Sequence, residues 1–398
     1  MTSEQIETCS FCGKHKDDVR KLIVGNAVAI CDGCVTLCDG LLGDEVDSEL
    51  TELKKSSINP IELKGFLDQY VIGQNSAKLI LSVAITNHYK RIQNPQKDIE
   101  IEKTNILMLG PTGTGKTVLA KTVAKYLDVP FAIADATSIT EAGYVGDDVE
   151  SLISRLYQAA KGDVERTERG IIFIDEIDKI ARKSESASIT RDVSGEGVQQ
   201  ALLKMVEGTK CRVPVMGGRK HPTGDMVEID TGNILFIAGG AFVGINDIIN
   251  NRVNGSSMGF SASFVGQSNT TLADTVPDDL IKFGMIPEFV GRFAGWVHLD
   301  PLELEDMVTI LTDVKNSLLK QYGWLFSVDQ VKLDFSAEAI LALAQRALDS
   351  GVGARGLHRE LNRVLLPHMY NLAKYYSNGI TQITIDSDLV EVPTALVS

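Results

Sequence analysis

The sequence predicts an α/β fold in which a parallel sheet carries helices on both faces. Between residues 105 and 238, short apolar segments alternate with helical patterns, and this alternation is typical of a parallel sheet. After about residue 303 helical periodicity dominates, which predicts a small, mainly helical C-terminal domain. Five of the six cysteines lie within the first 45 residues, which predicts a separate N-terminal module.

The elements of this fold follow from apolar segments and their periodicity. Strands are predicted at 105–109, 131–134, 171–174 and 234–238, and helices at 115–127, 147–160 and 195–206. Further helices are predicted at 303–321, 336–349 and 357–376, with β-like stretches at 326–334 and 381–386.

Composition also marks a linker between the cysteine module and the rest. Residues 44–60 are charged, carry few large apolar side chains and end at Pro60. We therefore expect four segments, which are a cysteine module at 1–45, a linker at 46–60, a large domain at 61–302 and a small domain at 303–398.

Charge and hydropathy argue against two classes of partner. The formal net charge of the 398 residues is −14, and so acidic a chain repels the phosphate backbone of nucleic acids. No segment reaches the roughly 18 apolar residues of a membrane span. The first residues, MTSEQIETCSF, are acidic and polar, unlike a secretory signal. The sequence therefore predicts a cytoplasmic protein that binds neither nucleic acid nor membranes.

A phosphate-binding loop is predicted directly after the first strand. Residues 110–117 fit the pattern G-x-x-x-x-G-K-[ST], and they follow a strand and open a helix, as the pattern requires. The glycines let backbone N–H groups surround phosphate oxygens, and the helix N-terminus adds its positive dipole. The predicted nucleotide contacts are Gly110, Pro111, Thr112, Gly113, Thr114, Gly115, Lys116, Thr117 and the adjacent Val118.

Four side chains carry the predicted chemistry of ATP hydrolysis. Lys116 would reach the β- and γ-phosphates, and the Thr117 hydroxyl would bind Mg²⁺. The apolar strand at 171–174 ends in Asp175 and Glu176. Asp175 is placed to hold Mg²⁺, directly or through water, and Glu176 is placed to orient and polarise the attacking water. The sequence therefore predicts a Mg²⁺-dependent ATPase.

Two Cys-x₂-Cys pairs predict a zinc centre near the N-terminus. Cys9 pairs with Cys12 and Cys31 with Cys34, and the 18 residues between the pairs fit the spacing of zinc sites. Four thiolates fill a tetrahedral shell and leave no open position, so the zinc would be structural. Disulfides or free thiols are the alternatives. Zinc is favoured because about 45 residues bury little core, so the metal would supply the folding energy.

Two further motifs stand in the wrong structural context. The G-x-S-x-G pattern at 255–259 follows a polar segment instead of a strand, which argues against a serine nucleophile. G-x-G-x-x-G at 351–356 follows a helix, so we interpret it as the end of one helix and the start of the next. No H-E-x-x-H pattern is present, and the chain is not predicted to cut peptides itself. Cys38 and Cys211 are interpreted as buried thiols.

With these parts in place, the chain resembles the AAA+ ATPases, and it is similar to the ClpX family over essentially its full length. The related unfoldase HslU shares the ATPase parts but lacks the cysteine module. Beyond the cysteine module and the P-loop, the resemblance rests on segments 71–74 (VIGQ), 87–91 (NHYKR), 143–146 (GYVG), 191–200 (RDVSGEGVQQ), 218–222 (GRKHP), 287–292 (PEFVGR) and 353–356 (GARG).

The resemblance implies a homohexameric ring that pulls protein substrates through its axial pore. A tyrosine on a glycine-flanked loop can grip any polypeptide without reading its sequence. A basic spot in an acidic protein would attract acidic or carboxylate tags at the pore mouth. The implied pore residues are Tyr144, Val145, Arg191, Arg219, Lys220 and His221.

The resemblance also assigns residues around the nucleotide. Arg292 would act as an arginine finger on the nucleotide of the neighbouring subunit, so that hydrolysis would require the oligomer. Arg355 would be the sensor-2 arginine, and Val71 and Ile72 would clamp the adenine. An ordinary surface salt bridge is the alternative for both arginines. The strand at 234–238 runs into two glycines, so the sequence assigns no polar sensor-1 residue.

A peptidase-docking loop is implied at 254–264. The family carries Ile-Gly-Phe there, and this chain has Met258, Gly259 and Phe260, which keep an apolar residue of similar volume. The implied partner is a ClpP-like peptidase, and the zinc module would receive substrates or adaptor proteins. Gly33 stands where an acid is common in the family, and this difference would weaken those contacts.

Three functions compete on these grounds. The leading one is an ATP-driven protein unfoldase that feeds a separate peptidase. A nucleic-acid-translocating AAA+ ATPase is the second, and the net charge of −14 and an aromatic pore loop argue against it. The third is a remodelling chaperone that works without a peptidase, and the loop at 254–264 separates it from the first.

Overall fold

The structure is a computed structural model of the chain. It describes residues 7–25, 28–38, 58–94, 98–99, 101–140, 147–182, 195–215, 226–255 and 270–391. The chain divides into two compact units, Met1–Ile58 and Asn59–Ser398. Within the described ranges, no helix is long and apolar enough to cross a membrane.

The described residues of the first unit form very little hydrophobic core. Strands β1 (Leu22–Val24) and β2 (Ala29–Cys31) pair antiparallel, and helix α1 follows at 32–38. Among the described residues of this unit, only one alanine and two cysteines are buried. Because so small a core supplies little free energy of folding, the unit requires a further source of stability.

The second unit alternates strands and helices and then becomes mainly helical. Its strands are β3 (Ile106–Leu109), β4 (Phe131–Asp135), β5 (Ile139–Thr140), β6 (Asp147–Asp148), β7 (Ile171–Asp175), β8 (Lys210–Pro214), β9 (Met226–Asp230), β10 (Leu235–Gly240), β11 (Gly295–His298), β12 (Lys332–Phe335) and β13 (Gln382–Ile385). Its helices are α2 (Pro60–Asp68), α3 (Asn75–Gln93), α4 (Lys116–Leu127), α5 (Glu150–Ala159), α6 (Val164–Glu168), α7 (Glu196–Glu207), α8 (Ile245–Gly255), α9 (Pro277–Phe283), α10 (Pro287–Gly291), α11 (Leu304–Thr312), α12 (Leu318–Val328), α13 (Ala337–Asp349), α14 (Arg355–Tyr370), α15 (Leu372–Ser377) and α16 (Ser387–Glu391).

A five-stranded parallel sheet organises the second unit. Its strand order is β11-β3-β10-β7-β4, and every neighbouring pair is parallel. All residues of β3 and β10 are buried, as expected for strands covered on both faces. The four predicted strands are confirmed to within two residues. The fifth strand, β11, was not predicted, because its four residues, GWVH, form too short an apolar pattern.

Among the described residues of the second unit, one hydrophobic core lies on the parallel sheet and a separate one lies among the C-terminal helices. The sheet core packs on one face of the parallel sheet and includes Leu109, Ile172 and Phe236. The helical core begins at Leu302 and includes buried residues of α11, α13 and α14. Residues 299–303, which we call the hinge segment, connect β11 of the sheet core with α11 of the helical core.

The helical core corrects two predictions. The single helix predicted at 303–321 is two helices, because Ser317 starts α12 by accepting a hydrogen bond from the N–H of Lys320. The β-like stretch predicted at 326–334 starts too early. α12 continues through the fully buried Phe326, and only the last part of that stretch forms β12. Apolar residues at a helix end and in a short strand look alike in sequence.

Smaller differences have local causes. The predicted helix at 357–376 is α14 followed by α15, with a break at Asn371. The helix predicted from 147 begins three residues later, because residues 147–148 pair with β5 as β6. The antiparallel hairpin of β8 and β9 was not predicted, because each strand has only five residues and apolar residues alternate there with charged ones.

Candidate nucleotide site and zinc centre

A tight loop connects β3 to α4. It comprises residues 110–115, and two of its glycines adopt left-handed backbone conformations, with φ of +82° at Gly113 and +104° at Gly115. α4 begins directly at Lys116, and the unpaired N–H groups in the first turn of a helix are suited to binding phosphate. Strand, loop and helix therefore follow one another as the P-loop pattern requires.

Lys116 is buried within this loop. Its Nζ donates hydrogen bonds to the carbonyl oxygens of Gly110 (2.6 Å) and Pro111 (2.9 Å). Burial lowers the pKa of Lys116, and the carboxylates of Asp175 and Asp178 act in the opposite direction. The loop therefore holds the amino group of Lys116 at the position where it can bind the oxygens of a phosphate.

Asp175 and Glu176 lie at the end of β7, next to the start of α4. Thr117 Oγ1 donates a hydrogen bond to Asp175 Oδ2 at 3.1 Å. A hydroxyl and a carboxylate this close offer oxygen ligands of the kind that Mg²⁺ takes, so the pair fits the ion. The N–H of Glu176 donates to Asp175 Oδ1 at 3.0 Å, and φ of Glu176 is +56°. The Glu176 side chain is exposed.

A cavity of about 520 Å³ opens beside the loop, which is within the size range of small-molecule sites. It brings together most of the residues predicted to contact the nucleotide. These are Thr112, Gly113, Gly115, Lys116, Thr117, Val118, Asp175, Glu176 and Arg355. The lining residues that the sequence did not predict are Asp178, Lys179, Ala241, Val243, Leu318, Ala354 and His358.

The tip of β10 shows why no polar sensor-1 residue was found in the sequence. A Cβ on Gly239 would lie 2.9 Å from the ring of Phe173, and a Cβ on Gly240 would lie 2.9 Å from Asp178 Oδ1. Asp178 also accepts a hydrogen bond from the N–H of Ala241 at 3.1 Å. The polar side chain at this tip is therefore contributed by the turn after β7, through a contact that the sequence pattern does not show.

Val71 and Ile72 lie in the segment between α2 and α3. Val71 is buried, and its Cγ1 would lie 3.7 Å from a Cβ on Gly115. Ile72 is half-buried, and neither Val71 nor Ile72 is among the residues that line the cavity. The structure therefore places Val71 beside Gly115 of the P-loop but does not bring either residue into the cavity.

The helical core touches the P-loop through a loop of glycines. The N–H of Ala354 donates to the carbonyl oxygen of Gly113 at 3.2 Å. Gly353 has φ of +62°, and a Cβ on it would lie 2.8 Å from the carbonyl oxygen of Thr112. The glycines at 351 and 353 do separate α13 from α14, as predicted. In addition, Gly353 allows the close approach of the two cores.

Four cysteine sulfurs converge in the first unit. All four Sγ atoms lie within 4.8 Å of one another, with Cys9 and Cys34 at 3.9 Å and Cys12 and Cys31 at 3.6 Å. Sulfurs bound at about 2.3 Å to one tetrahedral zinc lie about 3.8 Å apart, whereas a disulfide requires about 2.05 Å. Without a metal the thiols share protons: backbone N–H groups, that of Cys12 first, lower the pKa of Cys9 to about 6, whereas the hydrogen bond with the Cys12 side chain raises the pKa of Cys34 to about 12. The cluster fits zinc.

Three segments of the chain match known families. Residues 7–44 match the ClpX C4-type zinc finger, residues 101–295 match the AAA domain (Cdc48 subfamily), and residues 302–379 match the C-terminal, D2-small domain, of ClpB protein. The chain is also 53% identical over 369 residues to the ATP-dependent Clp protease ATP-binding subunit ClpX of Treponema denticola. That alignment covers 91% of this chain and 89% of the relative. The chain belongs to the ClpX family.

Membership of the ClpX family confirms the predicted fold class and enzyme class. The chain is an AAA+ ATPase with a C-terminal lid domain and a C4 zinc finger, and it is not itself a peptidase. The predicted cofactors are confirmed as well, because the AAA domain implies ATP and Mg²⁺ and the zinc finger implies Zn²⁺. Cys211 is buried, as expected, but Cys38 is only half-buried and stands outside the cysteine cluster.

Arg292, the arginine finger that the ClpX family implies, does not line the cavity of its own chain. Its Nη2 lies 2.6 Å from Glu207 Oε1, and its side chain is about half exposed. Asn105, at the start of β3, donates from Nδ2 to the carbonyl oxygen of Arg292 at 3.1 Å. The arginine is therefore held at the surface, outside its own nucleotide site.

The pore and docking residues that the ClpX family implies lie outside the described residues. On the described flanks of one such segment, β8 and β9 pair up to Pro214 and Met226. The predictions that lie outside are those for Tyr144, Val145, Arg191, Arg219, Lys220, His221, Met258, Gly259 and Phe260.

We expect one Zn²⁺ per chain, and we expect its removal to unfold the first unit. Because the described part of this unit buries almost no core, we expect the metal to supply its folding energy. Cys12→Ser should lose zinc, whereas Cys38→Ser should retain it, since Cys38 is outside the cluster. Metal analysis of the reduced protein and far-UV circular dichroism of residues 1–58 measure both effects. Equal zinc content in the two variants would contradict the assignment.

Proposed function

We propose that this chain unfolds proteins and threads them through the pore of a homohexamer into a ClpP-like peptidase. The observation that carries the proposal is the position of the nucleotide cavity. Lys116 and Glu176 line it from the sheet core, and Leu318 and Arg355 line it from the helical core. A nucleotide bound there contacts both cores, so hydrolysis changes the contacts between them. Such a change can be converted into movement of the pore.

The chemistry of hydrolysis is assigned to residues around the P-loop. Lys116 binds the β- and γ-phosphates, and Glu176 orients a water for attack on the γ-phosphorus and polarises it. Thr117 and Asp175 would hold Mg²⁺, which supplies positive charge next to the phosphates. Arg355 contacts the γ-phosphate from the helical core and so distinguishes ATP from ADP. The position of the buried Val71 beside Gly115 supports its role near the nucleotide.

Arg292 completes the site of the neighbouring subunit in this proposal. Its position outside its own cavity and its partly exposed side chain support a role in trans. The ion pair with Glu207 would have to open when the arginine turns to the neighbour's γ-phosphate. Hydrolysis would then depend on assembly of the ring.

The division into domains is also a proposal. We place a zinc module at 1–45, a linker at 46–60, a large AAA+ domain at 61–302 and a small AAA+ domain at 303–398. The two separate hydrophobic cores support the last boundary. The four thiolates of a zinc centre require a reducing environment, which supports a cytoplasmic location.

Protein-stimulated ATP turnover tests the proposed activity. An unfolded protein should raise the ATPase rate, and single-stranded DNA should not, because the net charge of −14 repels polyanions. Stimulation by DNA alone would favour a nucleic-acid translocase. Substrate unfolding without any association with a ClpP-like peptidase would favour a chaperone that works alone.

The docking loop gives a separate prediction for Phe260→Ala. We expect ATP-dependent association with the peptidase to fall by far more than one lost side chain suggests, because six loops on a hexamer act together. The ATPase rate and substrate unfolding should stay close to those of the unsubstituted chain. Association is measured by pull-down with a catalytically dead peptidase.

Phe264→Ala is the matched control, since it removes the same ring from the same segment outside the docking tripeptide. It should bind the peptidase nearly as well as the unsubstituted chain. If Phe260→Ala leaves association unchanged, or if its ATPase activity is lost too, the tripeptide does not serve docking.

A further inference from the structure

The segment between α2 and α3 lies between the nucleotide site and the hinge segment. It runs from Gln69 to Gln74 and includes Val71, which lies against the P-loop. The hinge segment, residues 299–303, connects the sheet core with the helical core. Any side chain that ties the first segment to the second also ties the P-loop to the orientation of the helical core.

Gln74 makes this tie with both ends of its side-chain amide. Its Nε2 donates to the carbonyl oxygen of Asp300 at 2.8 Å, and its Oε1 accepts from the N–H of Asp300 at 2.9 Å. Both bonds therefore close on a single residue of the hinge segment. Gln74 is only 8% exposed, so water competes little for these hydrogen bonds.

The backbone of Gln74 is strained, and we infer that the hydrogen bonds of its side chain hold it in place. Its φ of +53° and ψ of 36° lie in the left-handed region, which is unfavourable for a residue with a Cβ. Glycine would relieve this strain, but it would remove both hydrogen bonds to Asp300. A strained residue that carries a two-way contact to a distant segment is typical of a functional constraint.

The same segment also touches the helical core directly. The N–H of Lys315, between α11 and α12, donates to the carbonyl oxygen of Gln69 at 2.9 Å. Lys315 Nζ lies 5.6 Å from the ring centre of Tyr70, and Lys125 Nζ lies 5.0 Å from it. Tyr70 thus contacts one lysine from α4, the helix of the P-loop, and one from the helical core.

We propose that Gln74 is a positioning residue that latches the hinge segment and thereby sets how the helical core faces the P-loop. The latch acts through Asp300, because Gln74 itself does not line the nucleotide cavity. Its effect reaches Arg355, which the helical core carries into that cavity. This inference rests on the proposed nucleotide site.

The test compares Gln74→Asn with Gln93→Asn. Asparagine tolerates a left-handed backbone and keeps the amide, but it is one methylene too short to reach Asp300. Gln93, at the exposed end of the same helix α3, undergoes the same chemical change away from the hinge. Hydrogen exchange is measured on the full chain at the amides of Asp300 and Ala354, without nucleotide. Nucleotide affinity and thermal unfolding are measured beside it.

In Gln74→Asn we expect the Asp300 amide, and also the distant Ala354 amide that bonds to Gly113, to exchange about tenfold faster. If the aligned arrangement falls to a tenth of its population, the Kd for nucleotide rises about tenfold. Gln93→Asn should change neither. If only Asp300 exchanges faster, or if neither amide changes, Gln74 does not set the orientation of the helical core.

A second variant covers the case in which Gln74→Asn does not fold. Gln74→Glu has the same shape but places a carboxylate oxygen against the Asp300 carbonyl, so the same two amides should lose protection. Exchange at Ala354 equal to that of the unsubstituted chain in this variant would overturn the latch. Because exchange is measured without nucleotide, its result is separate from the proposed function. If the unsubstituted chain does not bind nucleotide, the proposed function is contradicted. The hydrogen-exchange result for the contact between Gln74 and Asp300 remains valid in that case.

Discussion

Replacing Glu176 with Gln is expected to lower the steady-state ATPase rate by about 100- to 10,000-fold while nucleotide binding stays intact. The carboxylate lies at the end of β7, exposed in the cavity that Lys116 and Thr117 line. The amide of glutamine keeps the size of the side chain but cannot polarise a water as a carboxylate does. The substitution leaves the phosphate-binding groups unchanged, because they belong to the loop between β3 and α4 and to the first residues of α4.

The decisive measurement compares the loss of ATP turnover with the change in nucleotide affinity. Nucleotide affinity and turnover are measured on the same preparation of Glu176→Gln. Glu165→Gln is the control for the loss of one negative charge, since Glu165 is an exposed residue of α6 that pairs with Arg169. Turnover of Glu176→Gln within a few-fold of the unsubstituted chain would refute the role of Glu176.

The parts of the site that could be predicted from the sequence are those whose residues lie close together in the chain. The P-loop occupies eight consecutive positions at 110–117, and each cysteine pair occupies four. Such a pattern determines the local geometry, because a strand, a glycine-rich turn and the start of a helix together fix the direction of the phosphate-binding groups. The Asp175 and Glu176 pair was found because it ends an apolar strand.

The remaining parts of the site depend on contacts between distant segments. Leu318 and His358 line the cavity only because the helical core packs beside the sheet core. Asp178 was not predicted because its partner, the N–H of Ala241, lies 63 positions away in the chain. Gly240 of β10 stands where a polar sensor-1 residue was sought in the sequence. It faces Asp178, and a Cβ at this position would lie too close to that side chain.

A comparable limit explains the errors in the fold. The strand β11 has four residues, and it is recognised only by its pairing with β3. The start of α12 depends on the cap at Ser317, which interrupts a continuous helical pattern. Periodicity averages over several turns and misses both a short strand and a single capping residue.

The second large effect is expected for Gly353→Ala, which should raise the Kd for nucleotide by about 10- to 100-fold. A Cβ on Gly353 would lie 2.8 Å from the carbonyl oxygen of Thr112 and 3.0 Å from the Cα of Gly113. These are backbone atoms of the P-loop, so they cannot yield as a side chain does. Overpacking of this kind costs about 1–3 kcal/mol, and here the loop before α14 must move away from the P-loop.

Gly351→Ala separates this clash from backbone strain. Gly351 has φ of +70° and Gly353 has φ of +62°, so alanine at either position costs about 1 kcal/mol of conformational energy. No atom would lie within 4 Å of a Cβ on Gly351. We therefore expect Gly351→Ala to lose only the stability that backbone strain costs and to keep its nucleotide affinity. Gly353→Ala should lose more stability in thermal unfolding, because the clash adds to the strain, and it alone should lose nucleotide affinity. Equal affinity in the two variants would show that the approach of the helical core to the P-loop does not contribute to nucleotide binding.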